Sequence, residues 1–264
     1  MTRLIPSGDV VRYDGTLEGF CCAVLLAYER RSWPASICAG DAIQLSFSQE
    51  FVVAETDFPR ARRVAEGLER AAGERAWRKV SRAFLSDRPG REDALFSYIV
   101  YAMDRGPSAL DDIADSRVAA VERLLVQVDN ERERMFQFSR FERLENGVWY
   151  SRIAPEARVV PLMMRHFVSR FGSEPFVIYD EAHGMAGFAA EGASAVVLVD
   201  SLDVPERSEE EVECQRLWKR FYDSLSNEAR YNPVLRSSLL PKRLWRNMTE
   251  FTRAVDEARA PLET

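Results

Sequence analysis

The chain has 264 residues, of which 36 are Lys or Arg and 42 are Asp or Glu, so its formal net charge at pH 7 is −6. Hydrophobic residues make up 46% of the sequence, which is enough for a sizeable core and excludes a mainly disordered chain. The acidic balance also argues against a wholly basic, histone-like nucleic-acid binder. No apolar run approaches the roughly 18 residues of a membrane span, and the first 15 residues lack the apolar stretch of a signal peptide. We therefore expect a cytoplasmic protein with no membrane partner.

The first part of the chain, residues 1–130, is predicted to be mainly helical. A short β-like run at 10–13 precedes Asp14-Gly15-Thr16, where Asp or Thr can cap the helix that follows. From Asp57, a predicted helix cap, apolar residues recur at intervals of three and four in successive stripes, the last of them over 118–128. This spacing places the apolar side chains on one face of each helix.

Residues 131–200 are predicted to form an antiparallel sheet with one helix. Phe136 and Phe138 alternate with polar residues as in a strand, and Asn146-Gly147 is a strong hairpin signal before the return strand at 148–153. A helical segment and three short strands follow, which gives the order β-β-α-β-β-β. The predicted class is therefore α+β, with a basic helical C-terminal part, 201–264, packed on the rest as one integrated unit.

Positive charge is concentrated in two stretches of the chain. Residues 214–250 hold eight Lys or Arg against three acids, and residues 131–170 hold eight Arg against five acids. The two stretches carry net charges of +5 and +3, which leaves −14 for the rest of the chain. Segregation of this kind keeps an acidic protein soluble while it focuses a local positive field, which suits a polyanionic partner.

Both basic stretches also contain aromatic residues, and this combination can neutralise phosphates and stack on bases. Arg140 shares one face of the predicted strand with Phe136 and Phe138. The alternative for that strand is a core face of phenylalanines with an arginine in an internal ion pair. For the C-terminal stretch, the alternative is an amphipathic helix whose charges are solvated. The candidate nucleic-acid-binding residues are Arg140, Trp218, Lys219, Arg230, Asn232, Lys242 and Arg243.

Two acids are candidates for catalysis, although nothing in the sequence fixes the distance between them. Asp180 ends a predicted strand, where a carboxylate is well placed to act on a water or an amine, and Glu142 could complete an acid–base pair with it. The alternative is that Asp180 caps a turn.

The sequence indicates no metal site and no cofactor. The four cysteines, at positions 21, 22, 38 and 214, form no CxxC pair, and the two histidines form no HExxH pattern. Glycine-rich nucleotide-binding loops are also missing from the sequence.

Eight longer segments carry a further signal. They are YDGTLEGF at 13–20, AFLSDRPG at 83–90, ERMFQFSRFERL at 133–144, VWYSRIAPE at 148–156, HFVSRF at 166–171, FVIYDEAHG at 176–184, LWKRFYDSLSNEARYNPVLR at 217–236 and LPKRLWRNMTEF at 240–251. In these segments the chain resembles an uncharacterised bacterial family that is associated with DNA metabolism and DNA repair. The family usually has Arg where His183 stands and aromatic residues where Phe188 and Ala189 stand, so the sequence departs from that family at His183 and Ala189.

The resemblance implies a connection with DNA through genomic neighbourhood. Members of the family are typically encoded beside a radical-SAM protein, and a related domain is joined in some proteins to a uracil-DNA-glycosylase-like domain. The implied function is that of a DNA-metabolism or DNA-repair protein that binds DNA or a modified base as the accessory of a radical-SAM partner. Two alternatives stay open, which are a nucleobase-directed enzyme of the glycosylase-like hydrolase type and a module that only binds the partner protein.

Overall fold

The computed structural model describes residues 4–40, 51–225 and 232–251, and it has the α+β class that the sequence predicts. The chain divides into two compact units, Met1–Val128 and Asp129–Thr264. Among the described residues, no helix is both long and apolar enough to cross a membrane.

The first unit contains strands as well as the predicted helices. Its strands are β1 (Ile5–Pro6), β2 (Val10–Tyr13), β3 (Ser32–Trp33), β4 (Ser36–Ala39) and β5 (Phe51–Val53). A parallel sheet has the order β4-β2-β5, and β1 pairs in parallel with β3. The sequence analysis identifies β2 among these strands, and runs of two to four residues show a period of two only weakly.

The helices of the first unit confirm the predicted apolar stripes and caps. They are α1 (Leu17–Arg30), α2 (Phe58–Ala72), α3 (Glu74–Ala83), α4 (Arg91–Arg105), a 3-10 turn (Gly106–Leu110) and the first part of α5. Helix α5 spans Ser116–Phe138, and its residues up to Val128 belong to the first unit. The Thr16 hydroxyl accepts a hydrogen bond from the Gly19 amide at the start of α1, and the Asp57 carboxylate accepts one from the Arg60 amide at the start of α2.

The second unit is built on a five-stranded sheet. Its strands are β6 (Glu142–Arg143), β7 (Trp149–Ile153), β8 (Phe176–Asp180), β9 (Met185–Ala190) and β10 (Ala193–Leu198). Its helices are the rest of α5, α6 (Val160–Phe171), α7 (Glu209–Leu225), α8 (Pro233–Leu239), α9 (Lys242–Trp245) and a 3-10 turn (Thr249–Phe251).

The sheet follows the predicted order β-β-α-β-β-β, with α6 as the helix between β7 and β8. Its spatial order is β10-β9-β8-β7-β6, and the pairings are antiparallel except for β7 with β8, which are parallel. The sheet is therefore mixed, whereas the sequence predicts an antiparallel one. The reason is that α6 returns the chain to the same end of the sheet, and a crossover helix joins parallel neighbours.

The prediction of a strand over Phe136 and Phe138 is wrong. Helix α5 continues to Phe138, and the strand β6 begins only at Glu142. The buried stripe of α5 continues from Val128 through Glu131 to Met135 at helical spacing. A buried acid in the middle of that stripe hides the helical period. The alternation of Phe136 with Phe138 then imitates a strand.

The two faces of the sheet have different environments. Phe176, Ile178 and Asp180 point to the α6 face and are buried. Helix α6 lies so close to β9 that a Cβ atom on Gly187 would stand 2.3 Å from the Met164 sulfur, so only glycine fits there. On the opposite face, Arg152 and Tyr179 are paired across the strands and are at least partly exposed.

A buried ion pair connects the helices of the second unit. Glu131 of α5 is 1% exposed, and its two carboxylate oxygens accept hydrogen bonds of 2.7 and 2.8 Å from Arg243 of α9. The Glu156 amide donates to the same carboxylate, and Arg243 also donates to the Ala154 carbonyl. The pair therefore fixes α9 against α5 and the loop before α6.

We expect Arg243→Ala to lower the free energy of unfolding by about 1.5–3 kcal/mol, because it removes the two Arg243 hydrogen bonds from the buried Glu131 carboxylate, which keeps only Arg134 as a counter-ion. The neighbouring Lys242→Ala is the control, since Lys242 is exposed, and its effect should stay within about 0.5 kcal/mol. Urea unfolding followed by circular dichroism measures both. Equal effects of the two variants would contradict this role of the ion pair.

Candidate functional site

A cleft of about 150 Å³ lies in the second unit, beside the β6–β7 end of the sheet. It has room for about five water molecules at ~30 Å³ each, which is the scale of a phosphate group or a small ring. Its lining residues are Arg140, Phe141, Glu142, Arg152, Arg207, Gln215, Arg246, Asn247 and Thr249. The four arginines come from the loop after α5, from β7, from the segment before α7 and from the residue after α9.

Three of these guanidinium groups are held by carboxylates. Arg207 pairs with Glu142 at 2.5 Å, and Arg140 pairs with Glu250 at 2.9 Å. Arg246 pairs with Glu181, the residue directly after β8, at 2.6 Å. A paired arginine has fewer accessible rotamers, so the side chains that face the cleft are oriented before any ligand arrives.

Arg152 is held differently, by a hydroxyl group. Its Nε donates to the Tyr150 hydroxyl at 3.3 Å, and this hydrogen bond raises the pKa of Arg152 above its usual range. Burial raises the pKa of Tyr150, so the phenol stays neutral at pH 7 and can accept this bond. Arg152 therefore reaches the cleft as a full positive charge.

The charges around the cleft nearly balance. Four arginines line or flank it, and Glu142, Glu181 and Glu250 hold three of them, which gives a local net charge of +1. Burial raises the pKa of Glu250, but the hydrogen bond and charge of Arg140, together with bonds from the Glu250 backbone and from Trp218, outweigh it and keep the pKa below its ordinary value of 4.5. The carboxylate is therefore ionised at pH 7, and the cleft carries a small excess of positive charge.

Aromatic rings continue the same sheet face away from the cleft. Arg152 lies beside Tyr179 in the β7–β8 register, and Val177 lies beside Phe188 in the β8–β9 register. The Tyr179 and Phe188 side chains are half-buried, so each presents part of its ring to solvent. The distance from β7 to β9 is two strand spacings, about 10 Å.

The structure brings one of the predicted nucleic-acid-binding residues, Arg140, into the cleft. Trp218 lies beside the same Glu250 carboxylate that holds Arg140, and its side chain is 42% exposed. Lys219 pairs with Asp223 one turn further along α7, at 2.9 Å.

The remaining predicted binding residues have other positions. Asn232 caps α8 through a hydrogen bond from the Leu235 amide, as a turn residue does, and Lys242 is exposed at the start of α9. Arg243 is engaged by Glu131. Arg230 lies outside the described residues.

The two candidate catalytic acids are not together. Glu142 pairs across the strands with Tyr150 on the cleft side of the sheet, whereas Asp180 points to the α6 side and is fully buried. Asp180 accepts hydrogen bonds from the Ala182 and His183 amides and contacts His183 Nδ1 at 2.5 Å. Burial raises the pKa of Asp180, and the bonds from His183 offset part of that rise. This geometry is that of a turn cap.

The same turn explains one departure from the resembled family. An Arg at the position of His183 would also place a nitrogen donor beside the Asp180 carboxylate, where His183 Nδ1 lies. Ala189 is buried on the α6 side, opposite Phe176, whereas Phe188 points to the cleft side. The departure at Ala189 therefore affects the α6 face of the sheet, whereas the cleft face keeps its aromatic residue at Phe188.

Three cleft arginines, Arg152, Arg207 and Arg246, are missing from the sequence-based prediction. Arg152 alternates with Tyr150 in β7, and that period of two could have revealed a polar face. Arg207 stands in an acidic segment, so charge counting conceals it. Within the described ranges, no group of three or more His, Cys, Asp or Glu side chains could hold a metal ion.

A comparison with protein-family models matches residues 89–250 to a family described as a domain of unknown function, DUF4130. No curated protein matches the chain.

We expect Arg140→Met to change how stability depends on pH. In the native protein the pKa of Glu250 is below 4.5, so the ion pair stabilises the fold above about pH 4.5 and is lost as the pH falls through the lower, folded pKa. In the variant, burial without the counter-ion raises the Glu250 pKa. The variant should be less stable by about 1.5–3 kcal/mol at pH 7, and the deficit should shrink as the pH falls towards 4.

Urea unfolding between pH 4 and pH 8 measures this difference. Arg170→Met is the control, because Arg170 is an exposed residue of α6, and its stability difference from the native protein should stay near zero throughout. A deficit for Arg140→Met that is constant across the pH range would contradict the assignment.

Proposed function

The chain belongs to the DUF4130 family, a domain of unknown function, and from the geometry of the cleft within the matched residues we propose that it binds single-stranded nucleic acid. The observation that carries the proposal is the meeting of four arginines from four segments beside a sheet face with two half-exposed rings. All nine lining residues fall within the matched range of 89–250.

Phosphate is the group that fits the cleft best. Guanidinium groups present several N–H donors in a planar fork that matches phosphate oxygens, and such charge-assisted bonds are stronger than neutral ones. The local net charge of +1 is neutralised by one phosphodiester. The Asn247 and Gln215 amides can in addition bond the sugar or the remaining phosphate oxygens.

The rings favour a single strand over a duplex. Tyr179 and Phe188 can stack only on bases that are not paired and stacked within a duplex. Each stacked base contributes about 1–3 kcal/mol, and stacking is tolerant of base identity. We therefore assign most of the affinity to stacking and most of the positioning to the arginines.

We also propose that this binding serves DNA metabolism or DNA repair in the cytoplasm, with the protein acting as accessory to a radical-SAM protein. The support for the partner is the resemblance described above, in which family members are encoded beside such a protein. The support for DNA is the same resemblance together with the phosphate chemistry of the cleft.

We expect Arg152→Ala to weaken binding of a single-stranded oligonucleotide about tenfold, because a charge-assisted bond of about 1.4 kcal/mol or more is lost. Fluorescence anisotropy at low salt measures the affinity. In the native protein, the logarithm of the binding constant should fall against the logarithm of salt concentration with a slope of about −0.7, the value for one phosphate of a single strand.

Arg165→Ala is the matched control, because Arg165 is an exposed arginine of α6 on the other side of the sheet. It removes the same charge from the protein and should leave affinity unchanged. Equal losses from both variants would mean that binding follows net charge alone. Tighter binding of duplex than of single strand would contradict the role given to Tyr179 and Phe188.

For the partner, we expect a radical-SAM protein of the kind encoded beside members of the resembled family to co-purify with this chain under anaerobic conditions. The complex should be retained in size-exclusion chromatography after nuclease treatment, because contact through bound DNA alone would then be lost. Separate elution of the two proteins, with and without DNA, would refute the accessory role and leave the binding proposal standing.

A further inference from the structure

Strand β10 forms an open edge of the sheet in the second unit. Within the described residues no other strand pairs with its outer side, and it is six residues long with the sequence ASAVVL. It has no charge, proline or bulge, and five of its six side chains are exposed, including Val197 at 43% and Leu198 at 72%. Natural sheets usually protect an edge with one of these devices, because an open edge can pair with another strand.

The direction of each backbone group on this edge follows from the register. The Val199 amide donates to the Gly184 carbonyl beside β9, so the odd-numbered residues of β10 face β9. The N–H and C=O groups of Ser194, Val196 and Leu198 therefore point outward. The edge presents three donors and three acceptors in alternation.

The other edge strands in the described residues are shorter, and two of them have partners on their outer side. Strand β6 has only two residues, both charged, and its outer side bonds to the segment 206–208 through the Ser208 amide. On the edge strand β4, the Ile37 amide donates a hydrogen bond to the Asp93 carboxylate. Strand β5 has only three residues. At six residues, β10 is thus the longest edge strand in the part of the chain that the structure describes.

We propose that β10 pairs with β10 of a second copy of this chain, antiparallel and about a two-fold axis at Val196. In this register Val196 faces Val196 of the partner subunit, and Ser194 faces Leu198 of the partner subunit. Each of these is a hydrogen-bonded pair that exchanges two bonds, so all three outward donors and acceptors on each strand are satisfied. The two five-stranded sheets become one sheet of ten strands.

A second copy fits this edge because an antiparallel pair of identical strands is complementary to itself. The absence of charge along the strand removes the like-charge repulsion that identical edges otherwise suffer. Six hydrogen bonds and a few apolar side chains bury less surface than the ~1,200–2,000 Å² of stable interfaces, so we expect a weak, concentration-dependent dimer. This inference does not depend on the nucleic-acid proposal.

The proposed register can be tested with charged substitutions at residues that face each other across the dimer interface. Ala195 and Val197 are exposed on the cleft side of the sheet, and Ala195 of one copy faces Val197 of the partner subunit in a pair that is not hydrogen-bonded. Side chains in such pairs are close, with Cβ atoms about 4.5–5.5 Å apart. The double variant A195K/V197K therefore places lysine against lysine, whereas A195K/V197E places lysine against glutamate.

Sedimentation equilibrium at rising concentration tests the proposal. We expect the native protein to dimerise, A195K/V197K to be at least tenfold weaker, and A195K/V197E to dimerise at least as tightly as the native protein at low salt. Because both variants change the same two exposed positions, circular dichroism should show equal folding. A native protein that is still monomeric at about 0.5 mM would overturn the proposal, since even a millimolar dimer is detectable there. Equal dimerisation of A195K/V197K and A195K/V197E would overturn the register.

Discussion

The buried pair between Glu131 and Arg243 is the constraint on which the rest of the second unit depends. A carboxylate that is 1% exposed is tolerated only because every part of it is occupied by Arg243, Arg134 and the Glu156 amide. The pair places α9, and the chain that leaves α9 supplies Arg246 and three further residues to the cleft or its carboxylates. The position of the cleft is thus decided by an ion pair that is not part of it.

The cleft repeats this arrangement nearer the surface. Each of three guanidinium groups is held by a carboxylate that comes from another segment, so the tertiary fold orients the arginines and no ligand has to. The cost is electrostatic, because three carboxylates cancel most of the positive charge that four arginines bring. What remains is a rigid set of donors with a weak field, which favours recognition of one phosphate by geometry over attraction of a long polyanion by charge.

Much of the fold could be predicted from the sequence, and the failures have specific causes. Hydrophobic periodicity and caps such as Thr16 and Asp57 gave the helices of the first unit, and Asn146-Gly147 located the hairpin. Gly147 adopts a φ of 81° in a three-residue loop, which is the conformation that favours glycine there. Helix α5 was missed at its end because Glu131 breaks the apolar stripe, and the parallel pair was missed because sequence order alone does not show how strands pair.

The candidate site was harder to predict because it depends on pairing between distant residues. Counting charges marked residues 214–250 as a basic stretch, yet Arg243 is neutralised by an acid 112 positions earlier, and Arg140 by one 110 positions later. Conversely, Arg207 lies in an acidic segment and still reaches the cleft. A stretch of sequence has a net charge, but a ligand meets only the charges that the fold leaves without a partner or holds in a fixed orientation. Of the basic residues in 214–250 that the structure describes, only Arg246 lines the cleft, where carboxylates hold three of the four arginines, so the proposed recognition depends less on electrostatic attraction than on hydrogen-bond geometry and stacking.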